Sequence, residues 1–260
     1  AVGLSDRGFG VVGPGCGPQS PDGWRRPVLI LGIETAGTQV GCAVGGHEGV
    51  LASAHSGRGR RHAEALAPQI DFVRRQAGIE LSEIGAIAVD VGPGLFTGLR
   101  VGIATAVAMA YGLGVPMIPV PSLDLMAFPA RWSGRLIVVA LDARRGELFT
   151  ALFRKVPGGV QRVRDAAVST PEELSAEIQA LDEPTLFIGD GALRHVDSFA
   201  GLKGVEMAEQ GLANPSARYL VQLAHARAMR EEFVQPWELE PVYLRLPDAQ
   251  INWSTREGGA

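Results

Sequence analysis

One run of secondary-structure signals occurs twice in this chain, and that duplication limits the fold more than any other feature. In the first half, Val28 to Ile33 is a short apolar run suited to a buried strand. Val40 to Val44 follows a Gly-Thr turn, and Val50 to Ala54 follows a second turn at Gly45–Gly49. Ala63, Leu66, Ile70, Val73 and Ala77 then recur at helical spacing, with Pro68 inside the pattern and Gly78 as its stop. Ala86 to Val91 is a strand, a glycine-rich turn leads into a helix of small residues, and Met117 to Val120 closes the unit. In the second half, Leu136 to Ala143, Leu148 to Lys155 and Val160 to Val168 give three more strands. Thr170-Pro171-Glu172-Glu173 reads as a capped helix start, Thr185 to Ile188 as a strand, and Gly189-Asp190-Gly191 as the entry to another helix. Asn214-Pro215 opens a long helix reaching Phe233. The first strands of the two halves end alike, at Glu34 and at Asp142. An apolar content of 46% is enough to fill a core on both faces of two such sheets.

The stretch Val91 to Ala110, VGPGLFTGLRVGIATAVAMA, admits two uses. A turn ahead of a helix N-terminus can hold an anion. Gly92 to Gly98, however, has no lysine in the P-loop position and no hydroxyl after it, and Pro93 removes one N–H donor. Thr97 reads instead as the cap of a helix starting at Gly98. Gly98, Gly102, Ala106 and Ala110 lie four apart and form one ridge, with Ala104, Ala108 and Gly112 as a neighbouring row. A helix-interior glycine costs about 1 kcal/mol relative to alanine, so the ridge implies close approach of something. That something is either the chain's own Leu66–Ile70–Val73 helix or sheet, or another protein. Arg100 is the only charge on this helix, which leaves no side suited to water. The expected partner surface therefore comprises Leu66, Ile70, Val73, Gly98, Arg100, Gly102, Ala106 and Ala110.

The duplicated unit resembles the plan of the actin-like, sugar-kinase and Hsp70-type ATPases. Five stretches narrow the resemblance: Ile33-Glu34-Thr35, His62 to Pro68, Gly92 to Gly102, Asp142 to Glu147, and Pro241 to Arg245. Over residues 28 to 245 they are similar to those of the TsaB (YeaZ) family. That resemblance implies an α/β fold of two RNase H-like domains, each with a central mixed sheet. The boundaries expected are a disordered extension at 1–26, a first domain at 27–124, a second at 125–245 and a tail at 246–260. It also implies a non-catalytic subunit in the formation of N6-threonylcarbamoyladenosine at position 37 of ANN-decoding tRNAs. Its partners would be a TsaD-type protein, which transfers the threonylcarbamoyl group, and a TsaE-type ATPase. Homodimerisation through the same surface and at most indirect contact with tRNA are further expectations. Glu34 stands where the family usually has aspartate, and Leu95 where it usually has serine.

Active members of the wider superfamily use the acids that end their first strands to hold the magnesium of a nucleotide. Glu34 and Asp142 occupy those places, so they mark a vestigial nucleotide site, or, in the alternative reading, an active ATPase or kinase. TsaD-type relatives hold a metal through His-x-x-x-His; here His62 is followed by Leu66, and His47, His55, His195 and His225 share no such spacing. The expectation is a protein with no catalytic residues, metal or cofactor of its own. A net charge of −4 argues against strong nucleic-acid binding by the chain alone, and the clusters Arg58/Arg60/Arg61 and Arg144/Arg145 read as solvated. Cys16 and Cys42 form neither a disulfide framework nor a metal spacing, which suits a reducing compartment. The first 26 residues lack the apolar run of a signal peptide, and the apolar stretch from Val101 is broken by glycine and proline. The expected location is the cytoplasm.

Overall fold

The computed structural model describes residues 28–57 and 62–245. The expected extension at 1–26, the tail at 246–260, Cys16 and the Arg58/Arg60/Arg61 cluster lie outside the described residues. The first half builds β1 (Leu29–Glu34), β2 (Val40–Gly46), β3 (Gly49–Ser56), α1 (His62–Ala77), β4 (Ile84–Asp90), α2 (Phe96–Leu113) and β5 (Met117–Val120). A short helix α3 (Ser122–Ala127) follows. The second half repeats the plan. It contains β6 (Leu136–Arg144), β7 (Glu147–Val156), β8 (Gly159–Ser169), α4 (Pro171–Leu181), β9 (Thr185–Ile188), α5 (Asp190–Arg194), α6 (Val196–Phe199), β10 (Val205–Met207) and α7 (Ala217–Ala228).

The two five-stranded sheets have the same topology, β3-β2-β1-β4-β5 and β8-β7-β6-β9-β10. In each, the first three strands form an antiparallel meander, and the fourth and fifth run parallel to the first. This is the duplicated RNase H-like, actin-like architecture with mixed central sheets. Local chemistry accounts for its joints. Thr170 accepts the Glu173 N–H while Glu173 accepts the Thr170 N–H, so α4 opens on a capping box with Pro171 at its first position. Gly78 and Gly114 terminate α1 and α2 at φ +67°, a conformation that only glycine adopts without cost.

Both faces of each sheet are covered. Leu31, Ile33, Cys42, Ile87 and Val89 meet α1 and α2 through Leu66, Ile70, Val73, Ala106 and Ala110. On the other face, Ile30, Ala43, Ala86 and Ala88 meet Leu220, Val221 and Ala224 of α7. The second sheet lies between α3, through Leu123 and Met126, and the α4–α6 layer, through Leu174, Ile178 and Phe199. The last helix of each half has therefore crossed over. Helix α3 follows the first sheet but packs on the second, and α7 follows the second sheet but packs on the first. A cut between residues 124 and 125 thus assigns α7 to the wrong sheet. Its apolar stripe is equally compatible with either.

Other boundaries also move. Helix α2 starts at Phe96 with Leu95 as its N-cap, without a side-chain cap, so Thr97 is not the capping residue. Helix α7 begins after Ser216 and ends at Ala228, short of Phe233. Its place on the first sheet is fixed by Gly32 and Gly45, where an added Cβ would run into Val221. At 18 residues, about 27 Å long, α2 is long and apolar enough by composition to cross a membrane. Its Gly98–Ala110 face is instead buried against the chain's own core.

Candidate functional site

The glycine ridge of α2 is occupied from within. The turn after β1 inserts Thr35 and Ala36 into it. The Leu95 N–H donates to the Ala36 carbonyl at 2.7 Å, and the Thr35 hydroxyl donates to the Gly98 carbonyl at 2.8 Å. A Cβ at Gly94 would overlap Ala36, one at Gly98 the Thr35 carbonyl oxygen, and one at Gly102 the Thr35 hydroxyl. Close approach does explain these glycines, but the approaching group is the chain's own turn. At the start of α1, His62 lies against Gly98 with its Nε2 3.2 Å from the Gly37 carbonyl, tying that helix to the same turn.

This corrects the expected partner surface. Gly98, Gly102, Ala106 and Ala110 are buried, as are Leu66, Ile70 and Val73, all in the layer between sheet and helices. All seven point into the chain's own core rather than out of it. Of the expected set only Arg100 is exposed, with its guanidinium 4.4 Å from the Phe96 ring centroid. The outward row is the neighbouring one: Ala104, Ala108 and Gly112, continued by Tyr111, which is 56% exposed and stacked loosely on Trp237. Half-buried Val101, Ile103 and Val107 flank that row. Helix α2 thus turns an apolar, almost uncharged face outward. The small-residue spacing that revealed the inner ridge also contained this outer row. Burial alone tells the two apart.

Glu34 and Asp142 are not brought together. The cleft between the halves, lined by Gly37, Pro93, Leu95, Leu141, Asp142 and Asp190 among others, encloses a cavity of about 20 Å³, and Glu34 is not in its wall. That is room for about one water molecule, far short of a nucleotide. Asp142 is spent locally. One oxygen accepts the Arg144 N–H, and the other pairs with Arg194 at 2.6 Å and Arg144 at 3.3 Å. The Asp142 N–H in turn donates to Asp190, whose carboxyl burial holds above the usual carboxylate range. The residues present therefore do not fit a magnesium nucleotide in this closed cleft. Arg194 neutralises the carboxylate a metal would need, the Gly92 N–H is already bonded to Asp90 and the Leu95 N–H to the Ala36 carbonyl.

Glu34 is paired instead with Asp90, which ends the adjacent parallel strand in the register Ile33↔Val89. Its Oε1 accepts the N–H groups of Ala36 at 2.8 Å and Gly37 at 3.4 Å. Asp90 Oδ1 accepts the Gly92 N–H and the Ser122 hydroxyl, while its Oδ2 is buried with no hydrogen-bond partner among the described residues. Burial, reinforced by the Asp90 charge, holds Glu34 well above the usual carboxylate range, and burial pushes Asp90 up to about 7. Both groups bind a proton more tightly folded than unfolded. The pair therefore favours the fold at low pH, and that contribution is lost as pH rises from about 4 towards 7. Asp90→Asn keeps the Oδ1 acceptor and supplies an uncharged amide beside Glu34. In thermal melts from pH 4 to 7, wild type is expected to lose roughly 1 kcal/mol per pH unit relative to this variant. Parallel melting curves for the two proteins would exclude a proton held by the pair.

Comparison with known proteins agrees with this fold. The sequence model described as "TsaD: tRNA N6-adenosine threonylcarbamoyltransferase" matches residues 55–253. The Escherichia coli protein named tRNA threonylcarbamoyladenosine biosynthesis protein TsaB is 31% identical over 189 residues, covering 72% of this chain and 81% of that one. The Bacillus subtilis protein of the same name is 29% identical over 231 residues, covering 87% and 98%. Among solved structures, YeaZ from Pseudomonas aeruginosa superposes with a TM-score of 0.74 at 26% identity, covering 84% of this chain and all of that one. The duplicated fold and these similarities converge, and the chain belongs to the TsaD-type threonylcarbamoyltransferase family, among its TsaB (YeaZ) members.

Proposed function

We propose that this protein is a non-catalytic subunit in the formation of N6-threonylcarbamoyladenosine at position 37 of ANN-decoding tRNAs in the cytoplasm. In this reading it binds a TsaD-type protein through the outward face of α2 and the adjoining α1, and a TsaE-type ATPase joins the same complex. The observation that carries the proposal is the outward row Ala104, Ala108, Tyr111 and Gly112, an apolar helix face beside a closed cleft. Small side chains let a partner helix approach to the close end of the usual 8–10 Å spacing. A second copy of the chain would satisfy the same face when the partner is absent. The reading requires no nucleotide, metal or catalytic residue in this chain.

The test is reconstitution. The protein is omitted from, and restored to, a mixture of the TsaD-type and TsaE-type proteins, tRNA, ATP and the other substrates. Modification is expected to fall to background on omission and to return in full with the Asp142→Asn variant, since Asp142 is held by Arg144 and Arg194. Robust ATP hydrolysis by the pure protein, lost in Asp142→Asn, would overturn the proposal in favour of an active ATPase.

A further inference from the structure

Most described arginines hold a carboxylate, as Arg135 holds Glu206, Arg154 holds Glu183 and Arg162 holds Asp124. Arg131, Arg218 and Arg227 make no ion pair among the described residues. All three lie where α7 meets the 3₁₀ turn Phe128–Ala130. Arg131 and Arg227 donate to the backbone carbonyls of Phe128 and Pro119, and Arg227 acts on Glu232 only at longer range. In a chain of net charge −4, this face is locally positive.

Aromatic rings stand where the carboxylates are missing. The Arg218 guanidinium lies 5.3 Å from the Tyr219 ring centroid, and Tyr219 meets Phe128 edge-on at 6.4 Å. Arg131 lies 4.1 Å from the Phe128 centroid and 4.9 Å from that of Trp132. Two cations and three rings thus form one ladder from Arg218 to Trp132. Its last ring is 74% exposed, more than any other large apolar side chain among the described residues. Beside the ladder, Phe128, Leu223, Arg227, Arg230 and the β7–β8 turn enclose a pocket of about 420 Å³, within the size range of small-ligand sites.

We propose that this face binds a single-stranded segment of RNA, with a base stacked on Trp132 and phosphates on Arg131, Arg218 and Arg227. A guanidinium stacked on a ring keeps its planar fork of donors for phosphate oxygens. An exposed indole offers a base a flat apolar partner, and base–aromatic stacking is how single strands are held without sequence readout. An acidic peptide would satisfy the arginines but leave the indole unused. A duplex would hide the faces of its bases. The pocket admits one splayed nucleotide with its phosphate on Arg227. The inference deepens the role proposed above and rests on it only for the choice of RNA over DNA. The acidic balance of the whole chain makes the contact weak and salt-sensitive.

The test is fluorescence anisotropy of a labelled single-stranded RNA of about seven nucleotides, titrated with the full chain and no partner protein. A dissociation constant of about 100 μM or tighter is expected at about 50 mM KCl. Three phosphate contacts, each with a salt slope of about −0.7, should weaken binding roughly twentyfold at about 200 mM. Trp132 and Arg218 are exposed at opposite ends of the ladder, so Trp132→Ala and Arg218→Gln should melt like wild type. Each should weaken binding at least fivefold. Arg154→Gln, whose guanidinium is held by Glu183, should bind like wild type. The proposal is overturned if no saturable binding is seen, if both ladder variants bind within twofold of wild type, or if Arg154→Gln weakens binding equally. Tighter binding of polyglutamate than of the RNA would assign the face to an acidic protein segment and also overturn it. Because no partner is present, a failure here leaves the reconstitution result standing, and a failed reconstitution leaves this binding intact.

Discussion

Ala104→Arg is expected to weaken association with a TsaD-type protein at least a hundredfold while leaving the melting temperature of the isolated chain within about a degree. Ala104 is exposed in the middle of α2, and arginine is nearly as good a helix former as alanine. Arg100 stands one turn earlier, and a like-charged pair at that spacing costs only a few tenths of a kcal/mol. The monomer therefore has little reason to notice the change. A complex built on this face does. A long cationic side chain would sit where small residues admit a second helix, and overpacking together with an unpaired charge exceeds the roughly 3 kcal/mol that a hundredfold represents. Co-elution and melting are measured on the same preparation. If Ala104→Arg still co-elutes stoichiometrically with the partner, the outward face of α2 is not the interface.

Much of the architecture was legible in the sequence, because the signals that specify it are local. Met117–Val120 and Thr185–Ile188 are apolar runs bounded by turn residues, and both strands occupy those limits. The α4 start is written in one capping box. Features set by long-range packing were not legible. A stripe of Leu220, Val221 and Ala224 says that α7 buries a face but not which sheet receives it, so the exchange of α3 and α7 between the halves had no sequence signal. Strand β10 is Val-Glu-Met, too short to show a period. At the candidate site, internal symmetry paired Glu34 with Asp142, whereas the parallel register of β1 and β4 pairs it with Asp90. The ridge of small residues on α2 reported correctly that something comes close. It could not report that the visitor is Thr35, because any compact group would leave the same trace.

That visitor gives the ridge an opposite response to mutation from the one a partner surface would give. In a free helix, glycine to alanine adds about 1 kcal/mol of stability. At Gly98 the sign should reverse. The new methyl would fall on the carbonyl oxygen of Thr35, a backbone atom at the end of β1 that cannot rotate away as a side chain can. Neighbouring Thr35 Oγ1 also donates to the Gly98 carbonyl, so any retreat of the turn breaks a buried hydrogen bond. Gly98→Ala is expected to destabilise the isolated chain by about 3 kcal/mol net, lowering its melting temperature by roughly 5–10 °C. Gly112 is on the same helix but has no atom within 4 Å of a built Cβ and no positive φ, so Gly112→Ala should raise the melting temperature slightly. The two single-methyl variants, melted side by side, test the packing of α2 directly. Gly98→Ala melting at or above wild type would mean that Thr35 does not fill the ridge and that the inner face of this helix is open after all.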